Sequence, residues 1–301
     1  MYKTLTISLA IIISLELISS EKLQAQLPKQ MLEQEKINEK MQSEKIDSLI
    51  YDLFFDSDQS TSSFTPKKNY HFLYLRTNYG TKTFYAGREI GLNQGNLLGQ
   101  LYYFHSKGFF TGISGAWFSE MDPGYRITSL SAGISKSLRS SGLFHYRMSF
   151  NYFLFNGEDY KPDYNSSLNA GGTLKGKWLG TRIDGAFLLG NETGFQLYSN
   201  TYLRLNLIRL NRLDRIQTEP SLGLFWGSET LYELAENAEF PLVYKDSFGL
   251  LNMQVEIPLQ LTWKSFDLEL SWIKNFPQSS GSFDYPSSSF FEIALGYFIS
   301  L

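Results

Sequence analysis

Three histidines, His71, His105 and His145, are the side chains from which acid–base or nucleophilic catalysis would be built. A serine nucleophile needs an imidazole within hydrogen-bond reach to accept its proton. None of the three has a serine two residues later, and the adjacent pair His105-Ser106 falls in an expected short turn. Paired acids are the other route to proton transfer. Glu120 with Asp122, and Glu158 with Asp159, flank expected loops, where solvated carboxylates are ordinary. Glu229, Glu233, Glu236 and Glu239, with Asp246, make the longest expected loop acidic. The alternative to a solvated loop there is a weak calcium or lipopolysaccharide-ion site. The chain has no cysteine, which removes disulfides, thiolate metal sites and cysteine nucleophiles. No glycine-rich phosphate loop or zinc spacing occurs. Gly171-Gly172 and Gly112 to Gly115 fall inside expected strands, where glycine marks a bulge or close packing. The expectation is a protein that is not an enzyme and needs neither metal nor cofactor.

A different chemistry is written in isolated charges at alternate positions of apolar segments. Arg147, Arg182, Arg204, Glu256, Lys264 and Glu269 are the foremost candidates for one shared inner face. Lys175, Lys177, Asp184, Glu219, Asp267 and Glu292 fall in the same registers. Such residues either line a wet passage and set its ion preference, or pair across it and hold it shut. Mixed signs argue against strong ion selectivity.

The elements that would position these charges are β-strands. Aromatic residues make up 16% of the chain and glycine contributes 24 residues, a mix suited to pleated surfaces and tight turns. Leu250 to Lys264 is the clearest strand. Leu251, Met253, Val255, Ile257, Leu259, Leu261 and Trp263 fall on one face; Asn252, Gln254, Glu256, Gln260, Thr262 and Lys264 fall on the other, with Pro258. A strand that long, apolar on one side and polar on the other, suits lipid outside and water inside. Leu143 to Phe155 and Ser289 to Leu301 alternate in the same way. Twelve candidate strands follow from residue 70 to the end, the first of them ending at Asn78-Tyr79-Gly80 or running on to 88. Inward Phe153, Phe155, Tyr198, Tyr202 and Phe225 would narrow a lumen of that size.

Two features agree with an up-and-down barrel. The connections alternate between short and long, as periplasmic turns and outer loops do. The five tryptophans fall near strand ends: Trp178 and Trp263 at one rim, Trp117, Trp226 and Trp272 toward the other. Aromatic girdles gather at both membrane interfaces. Mean hydropathy is -0.22. Beyond the N-terminus no apolar run is long enough for a helical span. Lys3 followed by the apolar run Leu5 to Leu17 reads as a signal peptide over 1–25; the run is too short for a membrane anchor. Residues 26–69 read as a leader and linker. Met31, Ile37, Met41, Ile46, Leu49, Ile50 and Leu53 recur there at roughly helical spacing, so 26–55 is either a helix for a periplasmic partner or a solvated segment. Net charge is -3 with no basic stripe, which excludes nucleic acid as an expected partner.

The last segment carries a resemblance. Phe291, Ile293, Leu295, Tyr297, Ile299 and Leu301 alternate with smaller or polar residues up to the C-terminus. This resembles the terminal strand signal of bacterial outer-membrane β-barrel proteins, which usually ends in phenylalanine; here it ends in leucine. The resemblance covers about 70–301 and is one of architecture, with no functional family attached. It implies an exported, all-β, antiparallel transmembrane barrel in the outer membrane. It also implies outer-membrane lipid, lipopolysaccharide and the barrel-assembly machinery as partners. Three functions remain open: a small passive channel, a closed barrel acting through its outer loops or leader, and, weakest, a hydrolase at the barrel wall.

Overall fold

A computed structural model describes residues 71–301 apart from 86–87, 90–93, 121–123, 139–142, 157–163, 210–213, 235–241 and 279–284. The expected signal peptide and leader lie outside the described residues, as do Asp122, Glu158, Asp159, Glu236 and Glu239.

The chain runs through β1 (His71–Gly80), β2 (Asn96–His105), β3 (Phe109–Phe118), β4 (Tyr125–Leu138), β5 (Phe144–Phe155) and β6 (Tyr164–Lys175). It continues through β7 (Leu179–Gly190), β8 (Thr193–Leu203, resumed as Leu205–Arg209), β9 (Arg215–Thr218, resumed as Ser221–Leu234), β10 (Leu242–Trp263), β11 (Phe266–Pro277) and β12 (Ser288–Ser300). The sheet's 14 segments make twelve strands, because β8 and β9 are each interrupted once. In β9 the break falls at Glu219-Pro220; proline has no N–H to give the ladder. Its carbonyl still accepts from Leu203 N at 3.0 Å, so the neighbouring strand stays attached.

Every strand pairs antiparallel with the next, and β12 pairs with β1 from Phe72↔Ser300 to Gly80↔Glu292, which closes the ring. Closure removes the open edge that a sheet would otherwise present. Both described termini lie at one end, where Leu301 N donates to His71 O at 2.9 Å. This terminal end carries short turns; the opposite end carries most of the longer connections. Among the former, Ser106 to Gly108 turns with Gly108 at φ 87, and Lys264-Ser265 turns with Lys264 at φ 53. Gly108 N donates to His105 O at 2.8 Å. A side chain at 108 would adopt a left-handed conformation and meet the Ser135 carbonyl at 2.6 Å. Gly108→Ala is therefore expected to cost at least about 1–2 kcal/mol, seen as a lower urea midpoint for the folded barrel.

The period of two places large apolar residues outward along every strand. Leu270 is 48% exposed and Ile293 47%, although both sit mid-strand. Inward positions hold Arg76, Asn78, Gln100, Ser114, Ser131, Arg182, Asn200, Glu256, Asp267 and Glu269, all buried. This inverts the usual order of a water-soluble protein. Among the described residues, three clusters of apolar side chains pack inside. Phe72, Tyr74, Tyr102, Phe104 and Phe110 pack toward the terminal end. Ile127, Phe153, Tyr164, Ala186 and Leu188 pack toward the loop end of β4–β7. Phe84, Ile273 and Phe290 pack toward the loop end of β11 and β12.

Several expectations change in detail. β1 ends at Gly80, and both described ends of the connection that follows are buried at Thr83, Phe84 and Gln94, with Thr83 Oγ1 donating to Gln94 O at 2.8 Å. The expected acidic loop 229–246 is mostly strand. β9 and β10 continue as a hairpin up to Leu234↔Leu242, built on Thr230, Tyr232, Val243 and Tyr244, which are strong strand formers. Leu251 does not share the outward face of β10. A bulge between Phe225 and Trp226 shifts the register there, and Leu251 is buried, packed over Gly227.

Candidate functional site: the barrel lumen

Inward side chains from neighbouring strands meet in rows across the sheet. One row runs Ser137, His145, Thr173, Arg182, Asn200; the next runs Ser135, Arg147, Gly171, Asp184, Tyr198. Four inward tyrosines lie over glycines of the wall. Tyr74 covers Gly296, Tyr102 covers Gly112, Tyr198 covers Gly223 and Tyr202 covers Gly180; a Cβ at any of these glycines would meet the ring. The glycines thus let aromatic rings line the wall instead of crossing the lumen.

The wall formed by β1 and β9–β11 carries a buried ionic network. Arg76 Nη2 donates to Glu269 Oε1 at 3.3 Å, and its Nη1 lies 3.6 Å from Asp267 Oδ2. Gln260 Nε2 donates to Glu269 Oε2 at 2.7 Å, and Gln217 Nε2 donates to Gln260 Oε1 at 2.7 Å. Ser271 Oγ donates to Glu256 Oε1 at 3.1 Å. Buried carboxylates need donors of this kind, because an unpaired charge out of water is costly. On the neighbouring strand β8, Arg204 Nε donates to Glu219 Oε1 at 2.6 Å, and the guanidiniums of Arg182 and Arg204 lie 4.6 and 5.9 Å from the Tyr202 ring.

Of the six foremost candidates, Arg147, Arg182, Arg204, Glu256 and Glu269 project inward. Lys264 does not, and neither does Lys177. Each sits in a turn at the terminal end, its ammonium over an exposed tryptophan: Lys264 at 4.7 Å from Trp263, Lys177 at 5.9 Å from Trp178. For Lys264 the reason is the turn itself, whose positive φ ends the alternation that the strand pattern extrapolates. Arg76 and Arg215 are inward and buried, and the sequence pattern did not single them out. The tryptophans all face outward. Trp178 and Trp263 mark the terminal rim, and Trp117 lies one residue from the loop end of β3. Trp226 lies deeper than expected, because β9 runs on past it to Leu234. Phe291, Ile293, Leu295, Tyr297, Ile299 and Leu301 are all outward and exposed.

Among the described residues, a serine–histidine contact exists that no local motif revealed. His145 Nε2 lies 2.7 Å from Ser135 Oγ on the adjacent strand, and Nδ1 lies 3.2 Å from Ser137 Oγ. That second partner is a hydroxyl, whereas a catalytic imidazole is oriented and stabilised by a carboxylate. His105 accepts from Lys107 N at 3.0 Å in its turn. Among the described residues no cluster of three or more potential metal ligands occurs.

Several buried inward polar atoms have no protein partner, including both amide atoms of Gln100 and the hydroxyls of Ser129 and Thr262. Burying such groups dry costs a few kcal/mol each. A lumen with this lining is one that water enters.

No protein-family model matches the chain, and no curated protein matches it. Solved structures similar to it include the KdgM porin, at 10% identity and TM-score 0.45, covering 75% of this chain and 98% of that one. The COG4313 outer membrane channel from Pseudomonas putida F1 is 8% identical with TM-score 0.42, covering 79% of this chain and 100% of that one. The NanC porin is 8% identical with TM-score 0.43, covering 75% of this chain and 98% of that one.

Proposed function

We propose that the chain is an integral outer-membrane β-barrel acting as a small passive channel or transport pore. The observation that carries this reading is the inverted closed ring, apolar outside and polar or charged inside. In lipid only helices and closed barrels satisfy every backbone group, and this chain closes. The terminal end then faces the periplasm, with Lys177 and Lys264 reaching into the interface beside Trp178 and Trp263. The long connections face outward, against lipopolysaccharide. Residues 1–25 direct export, the alternating terminal strand from Phe291 to Leu301 is the signal for the assembly machinery, and 26–55 is available to a periplasmic partner. The inward polar residues, rather than any catalytic group, perform the function.

The test is single-channel conductance in a planar bilayer, with detergent-purified protein first shown to be folded by its heat-dependent gel shift. Discrete, reproducible steps are the expected result. A folded but silent barrel would sink the channel reading. The second reading, a closed barrel acting through its loops or leader, is favoured by one observation: the ionic network around Arg76 is buried and ties β1 to β11 across β12. It predicts silence, together with a partner lost on deleting 26–55.

A further inference from the structure

The outer surface of the ring is not evenly filled. On β4–β8 it carries a groove of about 520 Å³ at mid-strand, lined almost wholly by apolar residues. Register explains its shape. Ala170 on β6 pairs with Gly185 on β7, and both point outward with little side chain to offer. In the next outward row toward the loop end, Leu168, Phe187 and Phe195 stand side by side. Met148 and Phe150 close the β5 side. Small residues thus make the floor, and large ones, 43–53% exposed, make the walls. The Phe195 ring bounds Gly185 without covering it: a Cβ there would only reach ordinary contact, at 3.6 Å.

Size and shape limit what fits. The volume lies within the roughly 300–1,000 Å³ of sites for single small molecules. A second barrel is itself convex, so it would bridge the walls and leave the floor empty. A flexible hydrocarbon chain can follow the floor. In lipid such a chain gains nothing from leaving water, so the gain is dispersion: walls facing a gap lose their contacts, and a chain laid between them restores them.

Depth and charge say which lipid. Ala170 and Lys177 are seven residues apart, about 23 Å of strand. Strand tilt shortens this to about 16–19 Å along the membrane normal, close to half of the roughly 30 Å hydrocarbon core. A chain whose tail lies in the groove therefore has its headgroup level with the terminal rim. That rim is basic. Residues 125–156 and 164–183 hold four and three lysines or arginines and no acid. Of these, Lys136 and Lys177 are exposed near the terminal ends of β4 and β6, their ammoniums over the Phe109 and Trp178 rings at 6.0 and 5.9 Å. Asp184, the next acid along this wall, lies on the inner face, over Gly171. At the loop end the β7–β8 turn carries Glu192 instead.

We infer that the groove holds an acyl chain of one phospholipid of the periplasmic leaflet, with a net-negative headgroup at Lys136 and Lys177. The inference rests on the outer-membrane barrel reading and not on conductance.

The full chain is first shown to be folded by heat-dependent gel shift and to enter phosphatidylcholine vesicles. In detergent it is then given equal amounts of dipalmitoyl phosphatidylglycerol and dipalmitoyl phosphatidylcholine, and native mass spectrometry counts the lipid retained. Ala170→Phe fills the floor, with Gly185→Leu in its place should that chain fail to fold. Lys136→Gln/Lys177→Gln removes the rim charge. Gly99→Phe is the control: Gly99 faces outward on β2, where a Cβ meets nothing within 4 Å. One phosphatidylglycerol per barrel is expected, favoured about tenfold or more over phosphatidylcholine, as two lysines beside one headgroup would give. The floor variant is expected to lose the bound lipid, the lysine variant to lose the preference, and the control to keep both. Equal retention of the two lipids, retention of neither, or a floor or lysine variant that behaves like the parent would overturn the inference. So would a control that loses as much as the floor variant. Dimers that disappear in Ala170→Phe would assign the face to a second copy and overturn it too. A folded chain that enters vesicles but retains no lipid leaves the barrel reading standing, whereas one that does not enter them overturns both.

Discussion

Replacing Arg76 by alanine is expected to destabilise the barrel by about 3–5 kcal/mol, the usual cost of breaking a buried ion pair by removing one partner. The side chain is 2% exposed and faces both Asp267 and Glu269, themselves 4% and 3% exposed. Without the guanidinium, two carboxylates remain out of water and lose the cation that faces both. They would have to be protonated or draw water into the wall. Equilibrium unfolding in urea, followed by tryptophan fluorescence in lipid vesicles, measures the loss. The physical cause is checked by a compensated variant, Arg76→Met with Asp267→Asn and Glu269→Gln. Removing all three charges together is expected to restore most of the stability, since neutral replacements of a buried ionic cluster are often tolerated. If Arg76→Ala proved nearly neutral, or the triple variant no better than the single one, charge burial would not be what holds this wall.

The same residue shows where the sequence pattern runs out. Arg76 lies in β1, whose outward residues Leu75, Thr77 and Tyr79 give a weak apolar face, so its register was hard to set from alternation alone. Long runs of outward apolar residues, such as Met253 to Trp263 in β10 and Phe291 to Ile299 in β12, declare both the length and the facing of their strands. Register slips are invisible to such a pattern: the bulge at Trp226 turns Leu251 inward, and a strict period of two places it outside. The acidic residues between 229 and 246 point toward a solvated loop, yet pairing with a neighbouring strand costs little where Thr230, Tyr232, Val243 and Tyr244 stand among them. Contacts between strands are the least legible of all. Ser135 and His145 are ten residues apart and meet only because Ser137 pairs with His145 across β4 and β5. Charge sign along the chain was readable, but burial was not. Gln260 and Ser271 reach their carboxylates across the β10–β11 hairpin, whereas Arg76 reaches Asp267 and Glu269 only because ring closure brings β1 beside β12.

Introducing arginine at Leu270 is expected to cost about 2–4 kcal/mol, whereas arginine at Trp263 is expected to cost no more than about 1 kcal/mol. Both side chains point outward, 48% and 51% exposed, so burial within the protein does not distinguish them. What differs is position along the strand. Leu270 pairs with Leu259 and Ile293 near the middle of β11, while Trp263 is the last residue of β10 beside the turn. In water neither site should respond strongly, because exposed surface substitutions usually stay within about 0.5 kcal/mol. In a bilayer the midplane site must carry its charge through hydrocarbon or drag water and headgroups toward it, and the rim site need not. The ratio of the two costs, measured by urea unfolding in lipid vesicles, therefore reports the solvent around the barrel independently of any assay of conductance. Equal and small costs would mean that the exposed apolar band meets water or another protein. A large cost at Leu270 with a small one at Trp263 would place that band in lipid and make the polar lumen the one aqueous route through the chain.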